Sequence, residues 1–436
     1  MHSGPKTRAG SWPDFRFDDL RMRRAAYALY KWKPALFART LSIDHLLVGG
    51  VERKAAATHA RLLNSPKLPS TPISDSAYAQ LLNDHCERGD TIFHPDLFAA
   101  TAYWKHALAC IRQYGHYCSH TDLAGVTEKA RRFIGMFKGT QLDSANPHES
   151  RAGSPVEVRR IAHSRCFEIL DGHHRLAIAW KNGQTHFRCA VLPTEPSLTP
   201  MQMMVMDSLW MFGKRRLLQP LPCPELREWP VVQHCDDLMR LIDGWLRKHG
   251  VGSGTFLDIG CGYGWFLAEM RKRGYRVRGI ERDAAVGTIG VAAYGLRDHI
   301  QFGDASVVLG ELDEPHDVVC CLGLTHDARY DQESISMAIL LRELDRLTKH
   351  VLFIDVEACR KARNQPWRLP FGEALNRLTS FEHIDVLGTD GDQGQNRQIL
   401  ACYRDHAPAV RSEGVPTDDS PSIDNGRNLQ RADLHM

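Results

Sequence analysis

Hydrophobic and polar positions change period several times along the chain. From Asp18 to Phe37, in DDLRMRRAAYALYKWKPALF, apolar residues recur at helical spacing behind an acidic start, which predicts an amphipathic helix. Its basic residues Arg21, Arg23, Arg24, Lys31 and Lys33 leave two readings: a helix packed on its own domain, or one lying on a membrane surface. SPKLPSTPISDS (65–76) reads as a loop or linker, and Ser76 to Phe137 is helical again, with entry signals at His94-Pro95-Asp96 and Thr121-Asp122. At 156–191 the period shortens. VEVRRI and CFEIL alternate as a hairpin does, HHRLAIAWKNG reads as a helix ending in glycine, and HFRCAVL as a third strand. Residues 199–249 return to helix, interrupted by QPLPCPELREWP.

From 254 to 356 strands and helices take turns: TFLDIG, helix, RVRGIE, helix, HIQFGD, DVVCCL, helix, HVLFIDV. That order implies right-handed crossovers and a parallel sheet with helices on both faces. EHIDVLG and RQILACYR then flank TDGDQGQN, a glycine-rich link suited to an antiparallel hairpin. The expected organisation is a helical N-terminal region (1–150), a small α+β module (151–198), a helical connector (199–253), an α/β domain (254–405) and a disordered polar tail (406–436).

Composition narrows this only a little. The 436 residues are 43% apolar and 25% charged, ordinary for a water-exposed globular chain. A net charge of +3 gives no electrostatic case for nucleic acid. No run is long enough to span a membrane, and the N-terminus lacks a secretory apolar core. Twelve cysteines without a CxxC pair read as reduced, buried thiols of a cytoplasmic protein, and no His/Cys spacing makes a metal module.

The chemistry starts at TFLDIGCGYGW. Gly260, Gly262 and Gly264 bare the backbone between a strand and a helix, so a ligand can approach closely. Glu281 ends the second strand, where a carboxylate can accept from both hydroxyls of a ribose. Asp304 ends the third, within reach of an adenine amino group. Asp258 ends the first, and could order the turn or meet a ligand's ammonium group. A dinucleotide turn prefers G-x-G-x-x-G, and an acid two residues before the first glycine would repel a pyrophosphate. The stretch 250–405 resembles the class I S-adenosylmethionine-dependent methyltransferases. The resemblance implies a Rossmann-like seven-stranded α/β sheet and S-adenosyl-L-methionine as cofactor. It also implies that Gly260, Gly262 and Gly264 cradle the methionine part, Glu281 holds the ribose and Asp304 contacts adenine. The hairpin at 382–404 fits that family's strand order.

Acceptor chemistry in the family follows the fourth strand, here DVVCCLGLTHDARYD. The D/N-P-P-Y/F/W element of base-amino DNA methyltransferases is replaced by Gly323-Leu324-Thr325-His326. The sole Pro-Cys, Pro222-Cys223, lies upstream of the domain, so DNA methylation is disfavoured. His326 is the candidate general base, with Asp327 to orient it; a solvent-facing loop histidine is the other reading. The expected reaction is O-methylation of a small molecule or a sugar or glycan hydroxyl.

A second motif, EILDGHHRLAIAWKNG, places Asp171, Gly172, His173, His174 and Arg175 at a strand-to-helix junction, where exposed amides and cations could hold a nucleotide or phosphate. Alternatively the histidines cap the helix and pack in the hairpin. Residues 154–192 resemble the ParB/sulfiredoxin-like fold, which implies nucleotide binding or a kinase activity, though the catalytic cysteine of sulfiredoxin is missing. The pairing of modules implies a bacterial-type protein. A nucleic-acid-binding regulator stands as a third reading.

Overall fold

The computed structural model describes residues 20–49, 70–142, 155–208, 214–322, 337–357, 371–390 and 397–405. It is a mixed α/β structure with two sheets. The first has five strands: β1 (Ala38–Ser42), β2 (Leu46–Val48), β3 (Val156–Arg160), β4 (Phe167–Asp171) and β5 (His186–Val191). Their order is β1-β5-β3-β4-β2. The β3–β4 and β1–β5 pairs are antiparallel, whereas β3–β5 and β2–β4 are parallel.

The hairpin, helix and third strand predicted at 156–191 are therefore present. The expected helical N-terminal region (1–150) also supplies two strands, β1 and β2. Leu46, Leu47 and Val48 are all buried, so no polar alternation marks them as a strand. Helices α1 (Leu20–Trp32), α2 (Ala77–Arg88), α3 (Pro95–Ala100), α4 (Ala102–Tyr114) and α5 (Leu123–Leu142) complete this unit with α6 (His173–Lys181). Ser76 and Thr101 cap α2 and α4 by accepting from Ala79 and Trp104 amides. One apolar core joins Leu46 and Val158 of the sheet to Leu81, Tyr103 and Phe133 of the helices. The helices and the small sheet thus bury each other's faces.

The second sheet has seven strands: β6 (Thr255–Ile259), β7 (Arg276–Glu281), β8 (Ile300–Phe302), β9 (His316–Cys321), β10 (Thr348–Glu357), β11 (His383–Asp390) and β12 (Arg397–Tyr403). The order β11-β12-β10-β9-β6-β7-β8 reverses direction between β6 and β9. β6 through β10 are parallel, and β12 inserts antiparallel between β10 and β11. The predicted alternation and closing hairpin are both there. Helices α9 (Trp265–Lys272), α10 (Ala284–Tyr294), α11 (Ala305–Val308), α12 (Met337–Leu347) and α13 (Phe371–Leu378) belong to this domain. Its two faces carry separate apolar cores, one built on Phe256, Phe266 and Phe353, the other on Leu257, Leu344 and Leu352. Successive side chains of β6 and β10 supply opposite cores, as pleating requires.

The connector contributes α7 (Pro200–Asp207) and α8 (Cys235–Lys248). Thr199 and Gln202 form a reciprocal capping box at the start of α7. Between these helices, residues 214–234 of the connector hold a 3-10 turn, Pro224–Leu226, and a bridge between Leu217 and Val231. It packs on the second sheet's domain: Met201, Val205, Leu217 and Trp229 share a core with Tyr263, Val286 and Ile289. It also holds the first unit, through Trp229 Nε1 donating to the His163 carbonyl (3.2 Å) and Gln202 Nε2 to that of Ala162 (2.8 Å).

The tightest approach in this region is at Gly290 of α10. A Cβ there would stand 2.0 Å from the Tyr263 carbonyl oxygen. Backbone cannot rotate out of the way as a side chain can. Gly290→Ala is therefore expected to destabilise the fold by about 1–3 kcal/mol, read as a lowered melting temperature. An unchanged melting temperature would contradict this packing.

Candidate cofactor site

Three positive-φ glycines shape the turn between β6 and α9: Gly260 (φ 74°), Gly262 (φ 60°) and Gly264 (φ 75°). L-residues with side chains rarely adopt these angles. The turn is pinned from beneath, since Gly260 and Cys261 amides both donate to the Ile280 carbonyl (2.9 and 3.0 Å). Glu281, next along β7, completes the anchor. Its Oε2 accepts from the Gly262 amide (2.8 Å) and its Oε1 from the Asp283 amide (2.8 Å). The Arg282 amide also bonds to this carboxylate, which leaves part of its acceptor capacity for a ligand. Asp283 in turn caps α10, accepting from the Ala285 and Val286 amides.

Asp258 lies beneath the turn, with Cys320 of β9 as its partner across the sheet. Its carboxyl is buried, and Oδ2 has no hydrogen-bond partner among the described residues. Burial first, and then the neighbouring Glu281 charge, push its pKa up to about 8; the Cys320 thiol opposes this. Burial likewise raises Glu281, against the lowering effect of its amide donors. Two buried acids close together give the described part of the site a negative character. Asp304 caps α11 at the end of β8 by accepting from the Ser306 amide (2.8 Å), and lies 3.8 Å from Arg282.

The structure thus brings Asp258, Gly260, Gly262, Gly264 and Glu281 together, with Asp304 at the end of the strand beyond β7. His326 lies outside the described residues, as does Asp327.

The DGHHR residues belong to the other unit. Gly172 starts α6 at φ 98°, and a Cβ there would meet Val156 at 2.6 Å. The two imidazoles turn toward the helix layer. His173 stacks on Tyr78 at 5.2 Å, while His174 meets Phe133 edge-on at 4.6 Å and its Nε2 pairs with the Tyr103 hydroxyl at 2.9 Å. Burial, and then Lys129, push the His174 pKa down to about 3. Both imidazoles pack against rings of the helix layer rather than in the hairpin, and a neutral His174 offers an anion no charge. Asp171 and Arg175 stay partly exposed, 3.7 Å apart.

Sequence reasoning missed the connector's part in the site. Gln219 is 3% exposed, and its Oε1 accepts from the Trp265 amide (3.3 Å) at the first turn of α9. Its Nε2 donates to Gln233 (3.0 Å), and its carboxamide lies 3.2 Å from where a Gly262 side chain would begin. The Tyr263 hydroxyl accepts from the Leu218 amide (3.5 Å). Nothing in QPLPCPELREWP except its position between two helices could have signalled this. Among the described residues, the ligand atoms of Glu382, His383 and Asp405 lie within 4.8 Å of one another. They bond to each other at the opposite end of the sheet, where β12 finishes.

The turn's chemistry fits a cationic nucleoside. The unpartnered Asp258 oxygen suits an ammonium or sulfonium charge, and the Glu281 lone pairs suit a diol. Residues 233–387 match the model of Methyltransf_23, described as a methyltransferase domain. Among solved structures the chain is similar to the bifunctional kinase-methyltransferase WbdD, with 18% identity, 47% of this chain and 46% of that one covered, and a TM-score of 0.36. It is also similar to WbdD crystallised with the kinase inhibitor LY294002, at 17% identity, 47% and 48% coverage and a TM-score of 0.37. A third is magnesium protoporphyrin IX methyltransferase (ChlM) from Synechocystis PCC 6803 with bound S-adenosylmethionine, at 16% identity, 39% and 79% coverage and a TM-score of 0.30. The chain spans about half the length of the WbdD structures it matches. No curated protein matches it. The glycine turn and its acids lie within the stretch that matches the methyltransferase-domain model. No helix among the described residues is long and apolar enough to cross a membrane.

The raised Asp258 pKa has a measurable consequence. With the site empty the carboxyl holds a proton below about pH 8, and a cation bound beside it favours the ionised form. Cofactor binding at pH 7 should then release roughly one proton, and affinity should rise with pH up to about 8. Calorimetry in buffers of different ionisation enthalpy reads this directly. A binding enthalpy independent of the buffer would contradict it.

Proposed function

We propose that the chain moves a methyl group from S-adenosylmethionine to a hydroxyl of a small molecule or of a sugar or glycan. Bound cofactor supplies a methyl on a sulfonium, an electrophile that needs no metal. The glycine turn and Asp258 take its amino-acid half, Glu281 its ribose, and Asp304 lies where the base would end.

One observation carries the acceptor assignment. β9 runs parallel beside β6 with Cys320 opposite Asp258, so the chain leaves β9 at the cofactor end of the sheet. The segment that begins there contains Thr325, His326 and Asp327. A hydroxyl is a poor nucleophile until its proton is removed as the new O–C bond forms. An imidazole with a pKa near neutrality is suited to take that proton. His326 is the proposed base, and Asp327 the proposed group that orients it.

The test is transfer of labelled methyl to a panel of hydroxyl-bearing sugars and metabolites, with cofactor affinity measured in parallel. His326→Ala should bind cofactor as the wild type does and transfer about 10²- to 10⁴-fold more slowly. Transfer at the wild-type rate would remove His326 from the reaction.

A further inference from the structure

The helix Leu20–Trp32 sits on the surface of the first unit, with most of its side chains exposed. Of residues 21–32 only Tyr30 is buried, its ring edge-on to Phe37 at 5.5 Å. Arg23 adds an ion pair to Glu195 on the same side. A 13-residue helix is marginal in water without a well-packed apolar face. Yet the apolar stripe of this helix points away from the protein. Met22, Ala25, Leu29 and Trp32 recur at the spacing of one helical face. Met22 is 55% exposed, Leu29 41% and Trp32 73%, and the following turn adds Leu36 at 60%.

Charge identifies the occupant. Arg24 and Lys31 flank the stripe on its solvent side, and Lys33 follows it; all three are exposed. From Leu20 to Lys33 there is no acid, Asp18 and Asp19 preceding the helix in sequence. Lys31 lies over the Tyr27 ring (4.9 Å) and Lys33 over that of Trp32 (4.2 Å). Each ammonium thus stands beside an aromatic face. Aromatic rings at the boundary with lysine and arginine alongside, on a helix too short to span, suit the headgroup region of an anionic bilayer.

We propose that this helix and the turn after it form a peripheral docking surface for an anionic lipid bilayer. The helix lies parallel to the membrane, with Met22, Leu29, Trp32 and Leu36 entering the boundary with the acyl chains and Arg24, Lys31 and Lys33 meeting lipid phosphates. The methyltransferase domain is then held beside the surface without crossing it.

The test is co-sedimentation of the full chain with vesicles of phosphatidylcholine alone or mixed with phosphatidylglycerol, over a series of salt concentrations. The protein should sediment with the anionic vesicles and be released by salt. Trp32→Ser/Leu36→Ser should weaken this by about tenfold or more, with the melting temperature and cofactor affinity unchanged because both side chains are exposed. Failure of the wild type to sediment, or equal sedimentation of the double variant, overturns the proposal. So does lipid-free self-association abolished by the same substitutions, which would assign the face to a second copy of the chain.

Discussion

Everything at the cofactor end of the sheet depends on the Glu281 carboxylate. It holds the amides of Gly262 and Asp283 at once, which ties the glycine turn of β6 to the start of α10. Both oxygens are engaged by backbone, so the side chain cannot swing away when a ligand arrives. Among the described residues no cation is paired with it, and Asp258 below is forced toward its protonated form. The two carboxyls therefore oppose one another's charge. Such an arrangement favours a ligand that brings both positive charge and hydroxyl donors, and disfavours a pyrophosphate.

The connector extends this dependence beyond the sheet. Gln219 occupies an amide of the first turn of α9 and lies against Gly262, while Tyr294 of α10 donates its hydroxyl to the Pro220 carbonyl. The same connector places Glu225, fully buried, against the hydroxyls of Ser70 and Thr199. Burial raises that carboxyl, and the two hydroxyls oppose the shift. The segment between the two sheets is thus a packed element with polar contacts at both ends. A change of spacing within it would be felt at the glycine turn.

How much of this was legible in the sequence follows from period and from chemistry. The second sheet could be read because each strand is a short apolar run bounded by helix, and because Gly260, Gly262 and Gly264 mark a turn that few other residues could make. β1 and β2 escaped notice: three residues of Leu46–Val48, buried on every side, carry no alternation. Gln219 escaped for another reason. Its role comes from a loop folding across the turn, and neither propensity nor spacing encodes such a tertiary contact. At DGHHR the residue types suggested an anion site, whereas packing placed both imidazoles among Tyr78, Tyr103 and Phe133. Charge read from a sequence presumes exposure, and exposure is decided by neighbours far along the chain.

The glycine turn and its acids are proposed to hold S-adenosylmethionine through Glu281. Calorimetric titration of the purified full chain with S-adenosylmethionine, repeated on Glu281→Ala, tests it most directly. The expected result is binding by the wild type and a loss of about ten- to a hundredfold in the variant, the worth of a charged hydrogen bond to a sugar hydroxyl. Equal affinity of the two proteins, or no binding by the wild type, would contradict it.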